Sequence, residues 1–535
     1  MIRALSILLL SIIFYAPLLH AVEFPPSRVM DVLHYDFSLS INDSNDILKA
    51  RADIRLRLLT PTSRLPFDLA GLRADGKGML VSKVMENDVP VFFVQQGDKI
   101  LVDLTQPAGV GQELDIIIDY HGIPADGLIY SRNKYGHRTI FGDNWPNRAH
   151  NWLACVDEPA YKAPVDFEVI APEHYQVVAN GIKIEETNTG NHLRYTHWKE
   201  TAPLPTKVMT IGLADFAVQY AGSAEGVPVY SWVYPEDRAR GFHDYAEAVD
   251  ILSYFIRQLG SYPYRKLANV QSKTIFGGME NANCIFYSEL SVTGMGRDGD
   301  LLAHEIAHQW FGNTMTETDF SQLWLSEGFA TYMANLFLEN KYGRDTLVKR
   351  LRTDRDTVIS FSQRNHSPVV DSSSDYMSLL NANSYQKGGW VLHMLRVKLG
   401  DSVFWRSVRS YYRQFRERNA STRDLQNIME KESGTNLAGF FDQWIYQAGQ
   451  PLLEGTWWYD EREKQVTVKI TQEQAGSFQF PLDIGIYING EKTGKKTFDI
   501  RGKTNSFSFK SAARPDRLVL DPDTNLLFQG TLIPK

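Results

Sequence analysis

The sequence predicts a multidomain α+β protein: a β-rich N-terminal region, a mostly helical middle and a small C-terminal β-sandwich. Three observations lead there. At 535 residues the chain is longer than one hydrophobic core usually organises, so several domains are expected. Apolar residues alternate with polar ones, period two, in short stretches up to about Phe216; from about Asp237 to Gln447 helical spacing dominates. Past Gln450 the period-two pattern returns.

The elements follow in order. Residues 1–21 carry one cation, Arg3, before an apolar run at 5–19 that Pro17 interrupts, with the small Ala21 at its end. The run falls short of the ~20 residues that span a bilayer, so it reads as a cleaved signal peptide. The mature chain is then expected to be exported, periplasmic or secreted, with no stable membrane insertion. Residues 22–218 read as an all-β domain. Tyr35, Phe37, Leu39 and Ile41 alternate with polar neighbours, and so do Ala52, Ile54, Leu56 and Leu58 after the turn-rich NDSND, which suggests a hairpin. Residues 219–450 form the mostly helical domain. Tyr245, Val249, Leu252, Phe255, Ile256 and Leu259 follow one helix face over 242–259, and Gly260 is placed to stop it. Residues 451–535 read as β again: Val466, Val468 and Ile470 alternate, as do Leu482, Ile484, Ile486 and Ile488, ending in Asn489-Gly490, a hairpin-type turn.

Composition excludes some functions. With 43% hydrophobic and 22% charged residues, the chain is not extensively disordered. A net charge of −7 disfavours nucleic acid as a partner. Cys155 and Cys284 are the only cysteines, too few for a disulfide framework or a four-cysteine zinc site. They can pair with each other or stay buried and free.

The chemistry concentrates in HEIAH, 304–308. On a helix over 300–311, capped by Asp298 or Asp300 and ended by Gly312, His304 and His308 lie one turn apart, about 6 Å along one face. Two imidazoles so spaced reach one zinc ion. Glu305 points about 100° away, badly placed as a third ligand and well placed to touch a water at the ion's open position. A third ligand is available in LWLSEGFATY: Glu327, early in a second helical pattern. Two histidines and a glutamate leave one position for water. HExxH arises by chance in a chain of this length at about the per-cent level, and most such hits are solvated helix faces; a glutamate at a fitting distance cuts the chance about tenfold more.

Upstream lies GGMEN, where Gly277 and Gly278 allow a close backbone approach ahead of Met279 and Glu280. Taken together, GxMEN, HExxH, eighteen intervening residues and Glu resemble the signature of the aminopeptidase N-like zinc metallopeptidases, the gluzincins that also include the leukotriene hydrolases. The resemblance extends over nearly the whole mature chain. WLACVDEPAYKAPVDFEV, with Asp157, Glu158 and Pro159, is similar to their β-domain. SYQKGGWVL is similar to the segment carrying their catalytic tyrosine, here Tyr385, and FFDQWIYQAGQP to the end of their catalytic domain.

The resemblance implies a saddle-shaped N-terminal β-domain, a thermolysin-like catalytic domain and a C-terminal β-sandwich. A large helical domain carried by many relatives has no counterpart in the residues after Gln450. It implies one zinc per chain on His304, His308 and Glu327, Glu305 as general base and Tyr385 as donor to the developing oxyanion. Glu280 then grips the free α-ammonium of a peptide, which puts the first peptide bond over the metal. Gly277, Gly278 and Met279 are expected to line the substrate in extended form.

This chain departs from the family at three points. Relatives often use a β-domain glutamine or glutamate as a second ammonium anchor; GDNWPNRAHNW has neither, leaving Asn144 or Asp143. Ser326 stands where an asparagine usually precedes the zinc glutamate. Thr318-Asp319-Phe320-Ser321 replaces the usual acidic and tryptophan residues, so the groups supporting the histidines are altered. Tyr230, Met279 and Tyr376 are the expected pocket walls. The leading expectation is a zinc aminopeptidase. Epoxide opening, as in the leukotriene hydrolase branch, and a catalytically dead binding scaffold are the other readings; the presence of Glu305 speaks against the last.

Overall fold

In the computed structural model, residues 28–297 and 299–535 are described. The expected signal peptide at 1–21 and the candidate cap Asp298 lie outside the described residues.

Period two becomes a mixed sheet. Tyr35, Phe37 and Leu39 on Met30–Ser40 and Ala52, Ile54 and Leu56 on Leu48–Leu58 bury one face, and the two strands pair antiparallel. They lie inside an eight-stranded sheet. Lys162–Pro172 joins Met30–Ser40 in parallel, and Glu113–Ile123 joins Leu48–Leu58. A four-stranded sheet that includes Arg138–Gly142 and Ile211–Ala214 belongs to the same region.

The middle region is less purely helical than its spacing suggests. It opens with a five-stranded sheet in which Val227–Val233, Leu267–Ser272 and Cys284–Ser288 run parallel, edged by Ala217–Ala224 and by Gly278–Met279. Every residue of Leu267–Ser272 is buried, so LANVQS has no polar face to alternate against. The helical stretch 242–259 is two helices, Arg238–Asp244 and Ala248–Leu259. Asp244 ends the first, and its carboxylate accepts the backbone N–H groups of Thr293, Gly294 and Gly296. Gly260 follows Leu259 at φ 118°. Next come the helices Gly299–Ala307, Trp324–Tyr342, Arg344–Ser362, Gly388–Leu399, Asp401–Phe415 and Thr422–Ser433.

The last region is a sandwich of a four-stranded and a three-stranded sheet. Phe480–Ile488 and Glu491–Ile500 form the expected hairpin, and Asn489 and Gly490 both take the positive φ that its turn demands.

The β-domain is fastened to the helical region by buried polar contacts. Lys207 and Glu317 form an ion pair with almost no solvent exposure. Lys162 Nζ donates to the carbonyls of Asn313 and Thr314 at 3.0 and 2.7 Å. Cys155 and Cys284 are both buried and free. Among the described residues no helix is long and apolar enough to cross a membrane.

Candidate active site

The HExxH helix runs Gly299–Ala307, so His308 sits in the turn that closes it rather than on a helix reaching residue 311. Asp300 lies inside the first turn, its Oδ1 3.0 Å from the Leu301 N–H. Gly312, at φ 116°, makes room for the neighbouring helix: a Cβ there would stand 2.2 Å from Ser326 Oγ. That neighbour, Trp324–Tyr342, carries Glu327 in its first turn.

Three donor atoms converge. His304 Nε2 and His308 Nε2 are 3.0 Å apart, and each lies 3.3 Å from Glu327 Oε2. Tetrahedral coordination with bonds of 2.0–2.1 Å puts donors about 3.3 Å apart, so this triangle fits one zinc ion. Among the described residues it is the one grouping of this kind. The electrostatics agree. Burial works against charge on His308, but the Glu327 carboxylate outweighs it and lifts the imidazole to about 10. Burial lowers His304. Burial also opposes a charged Glu327, yet the two histidines hold it well below the usual carboxylate range. Charge in the cluster is thus shared between His308 and an ionised Glu327.

Ser326 is a participant that sequence reasoning recorded only as a departure. Its Oγ lies 3.1 Å from His308 Nδ1, and the Phe311 carbonyl lies 3.1 Å from the same nitrogen. An N–H at Nδ1 donates to that carbonyl and so fixes the ring with Nε2 toward His304 and Glu327.

Glu305 is buried beside the triangle, with the backbone of Gly278 against its carboxylate; a Cβ on Gly278 would stand 2.3 Å from Glu305 Oε1. Burial pushes the carboxyl up to about 8; Glu280 and Glu327 add to the effect and His308 opposes it. A carboxyl so tuned exchanges protons near neutral pH. Tyr385 lies in a single π-helical turn, Asn383–Lys387, with its ring parallel to His304 at 5.9 Å. Burial, then Glu327, Glu280 and Glu305, raise its phenol, so the hydroxyl stays protonated as a donor.

Glu280 is positioned from both sides. Gln309 Nε2 and Asn313 Nδ2 donate to its carbonyl at 3.1 and 2.6 Å. The β-domain holds the next residues: Val208 O accepts from Ala282 N–H, and Asn180 Nδ2 donates to Ala282 O. Its carboxylate is different. Glu280 is 6% exposed, and Oε1 is buried with no hydrogen-bond partner among the described residues.

One cavity of about 400 Å³ gathers His304, Glu305, His308, Glu327, Tyr385, Gly277, Gly278, Met279 and Glu280. Asn144 is not among its walls and is fully buried. Its Nδ2 donates to the Thr206 and Met209 carbonyls, and its Oδ1 accepts from Trp152 Nε1. Asp143 is likewise engaged, with Arg148 and with Thr274 at 3.2 Å. Of the three expected wall residues only Met279 lines the cavity. Tyr230 packs on Tyr220, and Tyr376 packs on Phe320 at 4.5 Å. Trp145, Leu301, Thr331, Arg350, Asp354 and Gln386 are walls with no motif to mark them.

A carboxylate-aided histidine pair in a cleft beside a helix-borne glutamate is the architecture of an HExxH metallopeptidase. Residues 32–208 match the Peptidase M1 N-terminal domain, and residues 245–444 the Peptidase family M1 domain. The chain belongs to peptidase family M1. It is 27% identical to aminopeptidase M1-B of Oryza sativa subsp. japonica over 461 residues, 80% of this chain and 51% of that protein. It is 26% identical to tricorn protease-interacting factor F2 of Thermoplasma acidophilum over 497 residues, 85% and 59%. Glutamyl aminopeptidase of Sus scrofa is 24% identical over 464 residues, 79% and 48%. The chain spans about half the length of the curated relatives it matches.

Proposed function

We propose that the protein is a zinc-dependent aminopeptidase that removes the first residue from peptides with a free N-terminus. One observation carries this reading: Glu280 lines the same cavity as the three-donor triangle, and its buried Oε1 has no hydrogen-bond partner among the described residues. A buried bare carboxylate is costly unless a cation completes it. A peptide α-ammonium is such a cation, and gripping it fixes which peptide bond reaches the cluster. Family membership and the names of the relatives point the same way.

His304, His308 and Glu327 would hold the ion. Bound zinc supplies Lewis acidity toward a water and the scissile carbonyl. Glu305 receives the water's proton and hands it to the leaving nitrogen. The Tyr385 hydroxyl donates to the oxygen that gains charge, a type of contact whose removal elsewhere costs about 3–4 kcal/mol. Gly278 keeps the peptide backbone close to Glu305. Export is proposed on Arg3 and the apolar run at 5–19.

The test uses an aminoacyl chromogen with a free amine and the same compound acetylated. The first is turned over and the second is not. Chelator dialysis stops turnover and added zinc restores it. Equal rates on both compounds would sink the exopeptidase reading.

A further inference from the structure

Lys387 is a buried ammonium without an acidic partner among the described residues. Its Nζ donates to the Gly449 carbonyl at 2.8 Å and reaches the Gln447 carbonyl at 3.5 Å. Those carbonyls belong to the link that joins the helical region to Leu452–Asp460, the first strand of the C-terminal sandwich. Burying a cation against neutral carbonyls alone is costly, and a methionine of similar length would fill the space without that cost. The cation sits at the last residue of the π-helical turn that carries Tyr385.

The first residue of the same turn is tied down as well. Buried Asn383 donates through Nδ2 to the Ser367 and Pro368 carbonyls at 3.0 and 3.2 Å. The next two residues, Val369 and Val370, give their N–H groups to the Ile445 carbonyl at 3.0 and 3.3 Å. Both ends of the turn therefore lead to the segment 445–449. Tyr385 stands between them, its ring parallel to His304. A third contact sets the depth. Gly388, directly after the turn, meets Gly328, directly after Glu327, backbone to backbone: a Cβ on either would stand 2.9 Å from the other's Cα. A single π-helical turn is a rare conformation, and here contacts from distant segments hold both of its ends.

We propose that Lys387 and Asn383 are positioning residues for Tyr385: they pin the two ends of its turn to the junction with the C-terminal sandwich, so that the phenol hydroxyl meets the scissile carbonyl at a fixed place. The claim rests on the aminopeptidase reading. It makes the junction part of the device that receives the developing oxyanion, although among the described residues none of the sandwich lines the catalytic cavity.

A double-mutant cycle on the aminoacyl chromogen, with zinc content matched, tests this. Tyr385→Phe sets the scale with a kcat loss of about 10²–10³-fold. Lys387→Met lowers kcat about tenfold and leaves KM within about twofold, and Asn383→Ala does the same from the other end of the turn. In the Tyr385→Phe background, Lys387→Met costs less than about twofold, because no hydroxyl is left to misplace. A merely structural role gives the full loss in both backgrounds; that result, or an unchanged kcat in both single variants, overturns the proposal. If the unaltered protein does not cleave the chromogen, the aminopeptidase reading fails, and a second measurement still decides the clamp. Fluorotyrosine placed at position 385 gives one narrow fluorine resonance in the parent and a shifted or broadened one in Lys387→Met and Asn383→Ala. The same resonance in all three proteins overturns the clamp.

Discussion

Ser326 and Gly278 act through atoms that a motif does not spell out. Ser326 reaches His308 from the next helix, and a serine hydroxyl fits because Gly312 brings the backbone close. Partners of this kind are worth about 10–100-fold in metal affinity. Ser326→Ala should weaken zinc binding by that order while rate per bound zinc changes little, as a competing chelator reads. Unchanged affinity would mean that the Phe311 carbonyl orients the ring alone. Gly278→Ala sets a methyl group against the Glu305 carboxylate, so kcat should fall at least about tenfold with little change in thermal midpoint. Gly277→Ala is the control, since its nearest added contact is at 3.9 Å. Equal activity of the two variants would mean that the Glu305 position is not critical. The convergence of His304, His308 and Glu327 was legible because HExxH ties chemistry to helix periodicity. That Asn144 lies away from the cavity was not legible, because its amide bonds to Thr206, Met209 and Trp152, contacts invisible along the chain.

At the scale of elements, the stop at Gly260 read well, and buried strands did not. Helix Thr422–Ser433 begins with a capping box, Ser421 Oγ accepting the Asp424 N–H and Asp424 Oδ2 accepting the Ser421 N–H, and ends at left-handed Gly434. Ser421→Ala should cost about 1 kcal/mol in chemical denaturation and leave chromogen turnover unchanged. A cost near zero would mean that packing on Asp401–Phe415 holds the helix start without its cap. The hairpin around Asn489-Gly490 was equally legible, since a turn that needs positive φ twice names its residues. Leu267–Ser272 was not, because a strand covered on both faces loses its alternation. The cleft edge Gly278–Met279 is two residues long and defined only by its pairing with Phe286 and Tyr287.

The whole molecule adds couplings between regions. Lys387, two residues from Tyr385, donates to the Gly449 carbonyl at 2.8 Å, just before the first strand of the C-terminal sandwich. Burial pushes its ammonium down to about 7. Unfolded, a lysine keeps its proton to about 10.4. Below pH 7 both states are protonated and the cost of the buried charge is fully present. Between about pH 7 and 10 the unfolded chain binds more protons, so this group's contribution to stability rises with pH. The denaturation midpoint should gain from pH 7 to 9, and Lys387→Met should shrink that gain. An undiminished gain in the variant assigns it to other groups.

By itself the sequence pointed to the order of β, helical and β regions, to the grouping of His304, His308 and Glu327, to the acid beside it and to the family. These depend on periodicity and on residue types at fixed spacing, which a linear chain carries intact. Tertiary structure alone decided that Glu280 Oε1 is buried without a hydrogen-bond partner among the described residues, that Ser326 reaches His308, and that Cys155 and Cys284 stay apart. Each of these depends on which distant segments meet, and burial and hydrogen-bond satisfaction exist only once they have met.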